Sequence, residues 1–165
     1  MASMAVLPMI ADAVGSTPAM AAGGIADGRG LAAALALGAQ GALLGTRFLA
    51  TKESPLHPNF KQAVLDSDGH DTMLTEIPDI ARGNVGPGAL ARSGRDAFIE
   101  RWAGREWELR AQQPEALAAL QKASAVGDAA NASLLIGQDA GLIHDGRVPN
   151  AMRILACSHT GLLAY

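Results

Sequence analysis

The sequence holds a single cysteine, Cys157, so an internal disulfide framework is excluded and a reducing, cytoplasmic compartment fits best. Aromatic residues make up only 4% of the chain, and none interleave with a basic stripe. The net charge is −3, which argues against nucleic acid as a partner. No apolar run reaches the roughly 18 residues of a membrane span. The first residues lack a basic cluster, and Asp12 interrupts their mild apolarity, so no signal peptide is expected. No H-E-x-x-H pair and no G-x-S-x-G elbow occur, so neither a zinc hydrolase nor a serine hydrolase is indicated. The four histidines, His57, His70, His144 and His159, fall in loops, turns or the tail, and each is expected at the surface rather than on a metal. Cys157 lies on an apolar stretch and is expected to be buried rather than nucleophilic. What remains is a globular composition, with 49% hydrophobic and 18% charged residues over 165 positions. That length suffices for one domain with a real core.

The chain is organised around residues 18–51, PAMAAGGIADGRGLAAALALGAQGALLGTRFLAT. Met20-Ala21-Ala22 is a short apolar run that ends in Gly23-Gly24, as a buried parallel strand does. Asp27 suits the N-cap of a helix over residues 31–37, and Gly38 suits its C′ position. Residues 41–44 form the next apolar strand, followed directly by Gly45-Thr46. Two successive βα units thus end their strands in Gly-Gly and Gly-Thr. Glycine lets backbone N–H groups approach an anion closely, and a following helix adds its positive end. The two turns are therefore expected to hold one phosphate monoester between them. The spacing Gly28-x-Gly30-x-x-Ala33 imitates a dinucleotide fingerprint, but the fingerprint needs its first glycine at the strand end, where Gly23-Gly24 stand. Gly28 and Gly30 are read instead as loop geometry and close helix packing. Arg47 either supports an anion or forms a structural ion pair, the commoner role.

The stretch AAGGIADGRGLAAALALGAQGALLGTRFLAT resembles the C-terminal half of nitronate monooxygenases, formerly called 2-nitropropane dioxygenases. The resemblance continues through ESPLHPNFKQAVL, DTMLT, WAGREWEL and GQDAGLI. FMN-dependent enoyl-acyl-carrier-protein reductases share most of the first motif. The resemblance implies an α/β fold, the C-terminal part of an FMN-binding TIM (β/α)8 barrel with a helical lid. It implies that Ala22, Gly23, Gly24, Gly45 and Thr46 bind the FMN phosphate. It implies further that Gln138 and Asp139 lie beside flavin and substrate. Relatives often carry a small or hydroxyl residue where Asp139 stands. That carboxylate either repels an anionic nitronate or caps the turn, and the two readings stand level.

A closed barrel takes about 250 residues. Only two clear barrel strands are legible here, so the barrel is expected to be incomplete in this chain, with its other half before Met1. The histidine base that the resemblance implies would also precede Met1, leaving no catalytic residue to name in this chain.

The expected organisation is residues 1–52 as βα units carrying the phosphate turns, 53–133 as a mostly helical insert, and 134–165 as a return to the barrel with a terminal helix. Within it, residues 4–14 are expected to close a βα unit, with Pro8 in a first turn. Pro58 starts a helix with Phe60, Val64 and Leu65 on one face. Residues 71–77 alternate weakly, as a strand does. The loop over residues 83–88 is expected to be exposed. Ser93-x-x-Asp96 resembles a capping box, opening a helix to about Gln112 with Phe98, Trp102 and Leu109 inside. Trp102 and Trp107 are both read as core packing rather than a ligand platform. Pro114 begins another helix that Gly127 ends. Residues 134–143 are expected to form a strand and turn, and residues 149–155 the last helix.

The resemblance implies oxidation of an alkyl nitronate, or a nitroalkane, by dioxygen to a carbonyl compound and nitrite. The alternatives are an FMN-dependent enoyl reductase, a quinone-type flavin reductase, and a flavin-binding fragment without activity.

Overall fold

The computed structural model describes residues 3–84, 86 and 88–147. Helix α1 (Ser3–Val14) leads into strand β1 (Met20–Ala22), helix α2 (Gly28–Ala36) and strand β2 (Gly41–Leu43). The strands pair in parallel, with Met20 opposite Gly41, Ala21 opposite Ala42 and Ala22 opposite Leu43. Helix α2 is therefore their crossover. Its start is set by Asp27, whose carboxylate accepts from the N–H groups of Arg29 at 2.9 Å and Gly30 at 3.3 Å. Its end is set by Gly38, which takes a φ of 97° that other residues avoid. Gly30 packs against Ile25, in keeping with close packing rather than a dinucleotide turn.

One face of this small sheet is covered. Ala21 and Ala42 point toward Leu7, Ile25, Leu31, Ala34 and Ala39. The other face, with Met20 at 47% and Leu43 at 66% exposure, is open. The apolar runs predict burial on both faces. A single crossover helix covers only one, and that is the difference. Pro8 also departs from expectation, lying inside α1. The carbonyl it leaves without an N–H belongs to Met4, which is 66% exposed and open to water.

Helix α3 (Thr46–Leu49) follows β2 directly. Helix α4 (Pro58–Asp66) starts on Pro58, and the Asn59 N–H donates to His57 Nδ1 at 3.2 Å. Phe60 and Val64 are buried on its inner face, as the sequence predicts. Strands β3 (Thr72–Thr75) and β4 (Ala91–Gly94) form an antiparallel pair. The strand expected over residues 71–77 stops at Thr75, because helix α5 (Ile77–Arg82) begins there and buries Ile77, Pro78, Ile80 and Ala81. Gly83, Asn84, Gly86 and Gly88 are exposed, as expected for that loop.

Helices α6 (Ala97–Trp102), α7 (Glu106–Ala111) and α8 (Gln113–Val126) complete a helical layer. Its core joins Ile77, Ile80, Phe98, Ile99, Trp102, Leu109 and Leu120. The single helix expected up to Gln112 is broken at Gly104, whose φ of 76° ends one helix and turns the chain into the next. The capping box is also corrected. Ser93 lies in β4 and donates to the Leu134 carbonyl at 3.0 Å, while Asp96 alone caps α6 by accepting from the Ile99 N–H at 2.9 Å. Trp102 is buried, but Trp107 is 73% exposed on α7. Trp107 stands five residues after Trp102 and two before Leu109, on the opposite side of a helix from the buried face, so helical phase alone turns it to solvent. Gly127 caps α8 in the left-handed region, as predicted.

Residues 134–137 are extended but pair in no strand, and Gln138–Leu142 is a 3-10 helix rather than part of a strand. The reason is contact with the loop before β3. A Cβ at Gly69 would strike the Gln138 carbonyl, and one at Gly141 would strike the Asp68 carbonyl. Backbone lies on backbone there, which a pleated strand with side chains on both faces does not allow. The helix expected over residues 149–155, with Cys157 and His159, lies outside the described residues. His57, His70 and His144 are exposed. Among the described residues, no helix is long and apolar enough to cross a membrane.

Candidate functional site

The strand ends set the site. β1 runs out into Gly23 and Gly24, which take φ values of 84° and 73° in succession. Both lie in the left-handed region, where a side chain would be strained. β2 runs out into Leu44 and Gly45, and Thr46 opens α3. Because the strands are parallel and in register, both turns emerge at the same edge. Ala22, Gly23, Gly24, Ile25, Leu43, Leu44, Gly45 and Thr46 all line one cleft of about 450 Å³. The expected binding set of Ala22, Gly23, Gly24, Gly45 and Thr46 is thus brought together. A Cβ at Gly23, Gly24 or Gly45 would meet no heavy atom within 4 Å, so the backbone there borders free space.

A third segment closes part of the cleft. The Gly137 N–H donates to Thr46 Oγ1 at 2.9 Å, tying the 3-10 turn to the second glycine turn. Gly137 and Asp139 line the cleft with the strand-end residues. Gly137 belongs to the GQDAGLI stretch, but with no side chain it gives no signal of its own in the sequence. Gln138 is exposed and does not line the cleft, so it is not brought to the site. Asp139 is only 7% exposed. The N-cap position of its turn is Gly137, which has no side chain to cap with.

Arg47 takes the structural role of its two readings. Its side chain is 5% exposed and pairs with Asp145 at 3.1 Å. It does not line the cleft. Its Nε finds no partner among the described residues. Among the described residues, Asp139 is consequently the one ionisable side chain in the cleft's lining. Elsewhere, the Arg29 side chain holds the Asp27 carboxyl below its ordinary range, which keeps the cap of α2 ionised. Among the described residues, no three His, Cys, Asp or Glu side chains gather to hold a metal ion.

A family model described as nitronate monooxygenase matches residues 1–148. The chain belongs to the nitronate monooxygenase family. A probable nitronate monooxygenase of Staphylococcus haemolyticus is 48% identical over 98 residues, covering 59% of this chain and 25% of that protein. One from Bacillus subtilis is 50% identical over 74 residues, covering 45% of this chain and 21% of that protein. Among solved structures, FabK from Thermotoga maritima superposes with a TM-score of 0.75 at 35% identity, covering 93% of this chain and 47% of that one. A nitroalkane oxidase from Streptomyces ansochromogenes gives 0.72 at 30% identity, covering 95% of this chain and 43% of that one. This member of the nitronate monooxygenase family therefore spans less than half the length of each of these relatives.

Proposed function

We propose that this chain is the phosphate-binding and lid portion of an FMN-dependent nitronate monooxygenase built on a TIM barrel. The barrel's remaining βα units would cover the open face at Met20 and Leu43. The observation that carries the reading is the single cleft shared by both glycine turns and the Gly137–Asp139 turn. The residues fit a phosphate monoester. Two strand ends without side chains border free space, and the Thr46 hydroxyl, already accepting from Gly137, keeps its own proton to donate. The N–H groups of Gly23, Gly24, Gly45 and Thr46 would hold the phosphate oxygens. When bound, FMN supplies electron acceptance from a carbon acid and electron delivery to dioxygen. With a nitronate as substrate, the products are a carbonyl compound and nitrite. Ile25, Leu43 and Leu44 give the cleft apolar walls.

Gly45→Ala is the sharpest test. Gly45 has a φ of −100°, which alanine adopts without strain, and the added methyl meets nothing in the protein. Fold stability should hold while flavin retention falls, when the change is made in a chain extended to the length of its relatives. Unchanged flavin content there would remove the reading. A second reading, an FMN-dependent enoyl reductase, is favoured by the 0.75 superposition on FabK. Nitrite release from an alkyl nitronate supports the first. NADH oxidation driven by an enoyl thioester supports the second.

A further inference from the structure

The described lining of the cleft is glycine, aliphatic side chains, the Thr46 hydroxyl and one carboxylate. Asp139 lines it, is 7% exposed, and among the described residues is the only ionisable side chain in the lining. The nearest basic candidate in sequence, Arg47, is committed to Asp145 and lines no part of the cleft. Gly137, next to Asp139, carries the N–H that fixes Thr46 Oγ1, and a Cβ on Gly137 would strike Asp139 Oδ1. The carboxylate therefore sits against the same backbone that links the 3-10 turn to the second glycine turn. A phosphate held by those turns shares the cleft with the Asp139 carboxylate.

We propose that Asp139 is a specificity-determining residue that lowers the cleft's preference for a phosphate ester over the ester's uncharged parent. This rests on the phosphate reading above. The glycine turns attract a phosphate, and Asp139 opposes its charge, so the site's affinity reports the difference of the two. At an effective dielectric constant near 20, like charges about 6 Å apart repel enough to weaken binding by about tenfold or more. A neutral polyol in the same cleft feels no such repulsion. Asp139 thus narrows the gap in affinity between a phosphate ester and its unphosphorylated parent.

The test is an amide NMR titration of the 165-residue chain with ribitol 5-phosphate and, separately, with ribitol. Asp139→Asn and Asp139→Ser both remove the charge, and the spectra report whether each stays folded. The expected result is that both variants bind ribitol 5-phosphate about tenfold or more tighter than the parent, with ribitol unchanged within about twofold. Shifts should centre on Gly23, Gly24 and Gly45. Equal affinity for the ester in parent and variants overturns the proposal. So does weaker binding in the variants, which would make Asp139 a hydrogen-bond acceptor for the ligand's hydroxyls. In both of those cases the phosphate reading survives if Gly45→Ala still abolishes the shifts. Absence of ester-dependent shifts at the glycine turns in every variant overturns the phosphate reading and this proposal together.

Discussion

The Gly137 amide donates a 2.9 Å hydrogen bond to Thr46 Oγ1 across 91 positions of sequence. The bond joins the turn after β2 to the 3-10 helix. Both residues line the cleft, so this one contact holds two of its three walls together. Thr46 is 8% exposed, and its hydroxyl cannot be replaced there by water without rearrangement.

Thr46→Val should therefore destabilise the chain by about 1–3 kcal/mol, because Gly137 keeps a donor and loses its acceptor. Thr46→Ser should recover most of the loss. Urea denaturation of the three chains measures it, and equal midpoints for valine and threonine would show that the bond contributes nothing.

The Arg47–Asp145 pair predicts an asymmetry. The Arg47 side chain is 5% exposed and that of Asp145 is 56% exposed. Asp145→Ala leaves a buried guanidinium without its carboxylate, which should cost about 2 kcal/mol after allowance for solvent on the acid's side. Arg47→Met removes the buried charge and keeps most of the volume, and should cost about 1 kcal/mol or less. Equal losses in chemical denaturation would mean that the pair is ordinary surface electrostatics.

Local signals were legible in the sequence and distant ones were not. Asp27, Gly38, Pro58 and Gly127 act within a turn of the chain, and each sits where its chemistry predicts. The parallel pairing of β1 and β2 was also legible, because glycine turns punctuate both strands. The 3-10 helix was hidden, since Gly69 and Gly141 select it through contacts with other segments. The partner of Arg47 lies 98 positions away, beyond any periodicity. Gly104 is legible as a glycine but not as a left-handed break between two helices, whereas the exposure of Trp107 follows from its helical phase, opposite Trp102 and Leu109.

Asp96 predicts a pH dependence. Its carboxylate accepts from the Ile99 N–H at 2.9 Å and the Ser133 N–H at 2.6 Å. Burial nevertheless raises its pKa above the ordinary 3.8, with the backbone N–H groups acting against that shift. An acid whose folded pKa is raised holds its proton in the folded chain after the unfolded chain has released it. Its contribution to stability is therefore largest below pH 3.8 and declines as pH rises to the folded midpoint. Asp96→Asn does not titrate, so the stability difference between parent and variant should fall across that window. A difference that stays flat from pH 3 to 6, a range of about three units around the ordinary value, would contradict the burial argument.

The isolated chain should bind FMN weakly and should not oxidise nitronates. Its parallel sheet has two strands, and the face carrying Met20 and Leu43 is open. Among the described residues, no second layer faces the cleft to enclose an isoalloxazine ring. A few charge-assisted hydrogen bonds are worth roughly 1.5–3 kcal/mol each. Immobilising the ligand costs an estimated 4 kcal/mol or more. The balance corresponds to a dissociation constant of about 1 mM. No described histidine lies in the cleft to serve as a base, and loss of a general base lowers rates by about 10²–10⁴-fold. A flavin fluorescence titration of the purified chain, run beside a nitrite assay, measures both terms. Micromolar, stoichiometric FMN with nitrite release would mean that the open face closes by another route, with self-association as the first thing to measure.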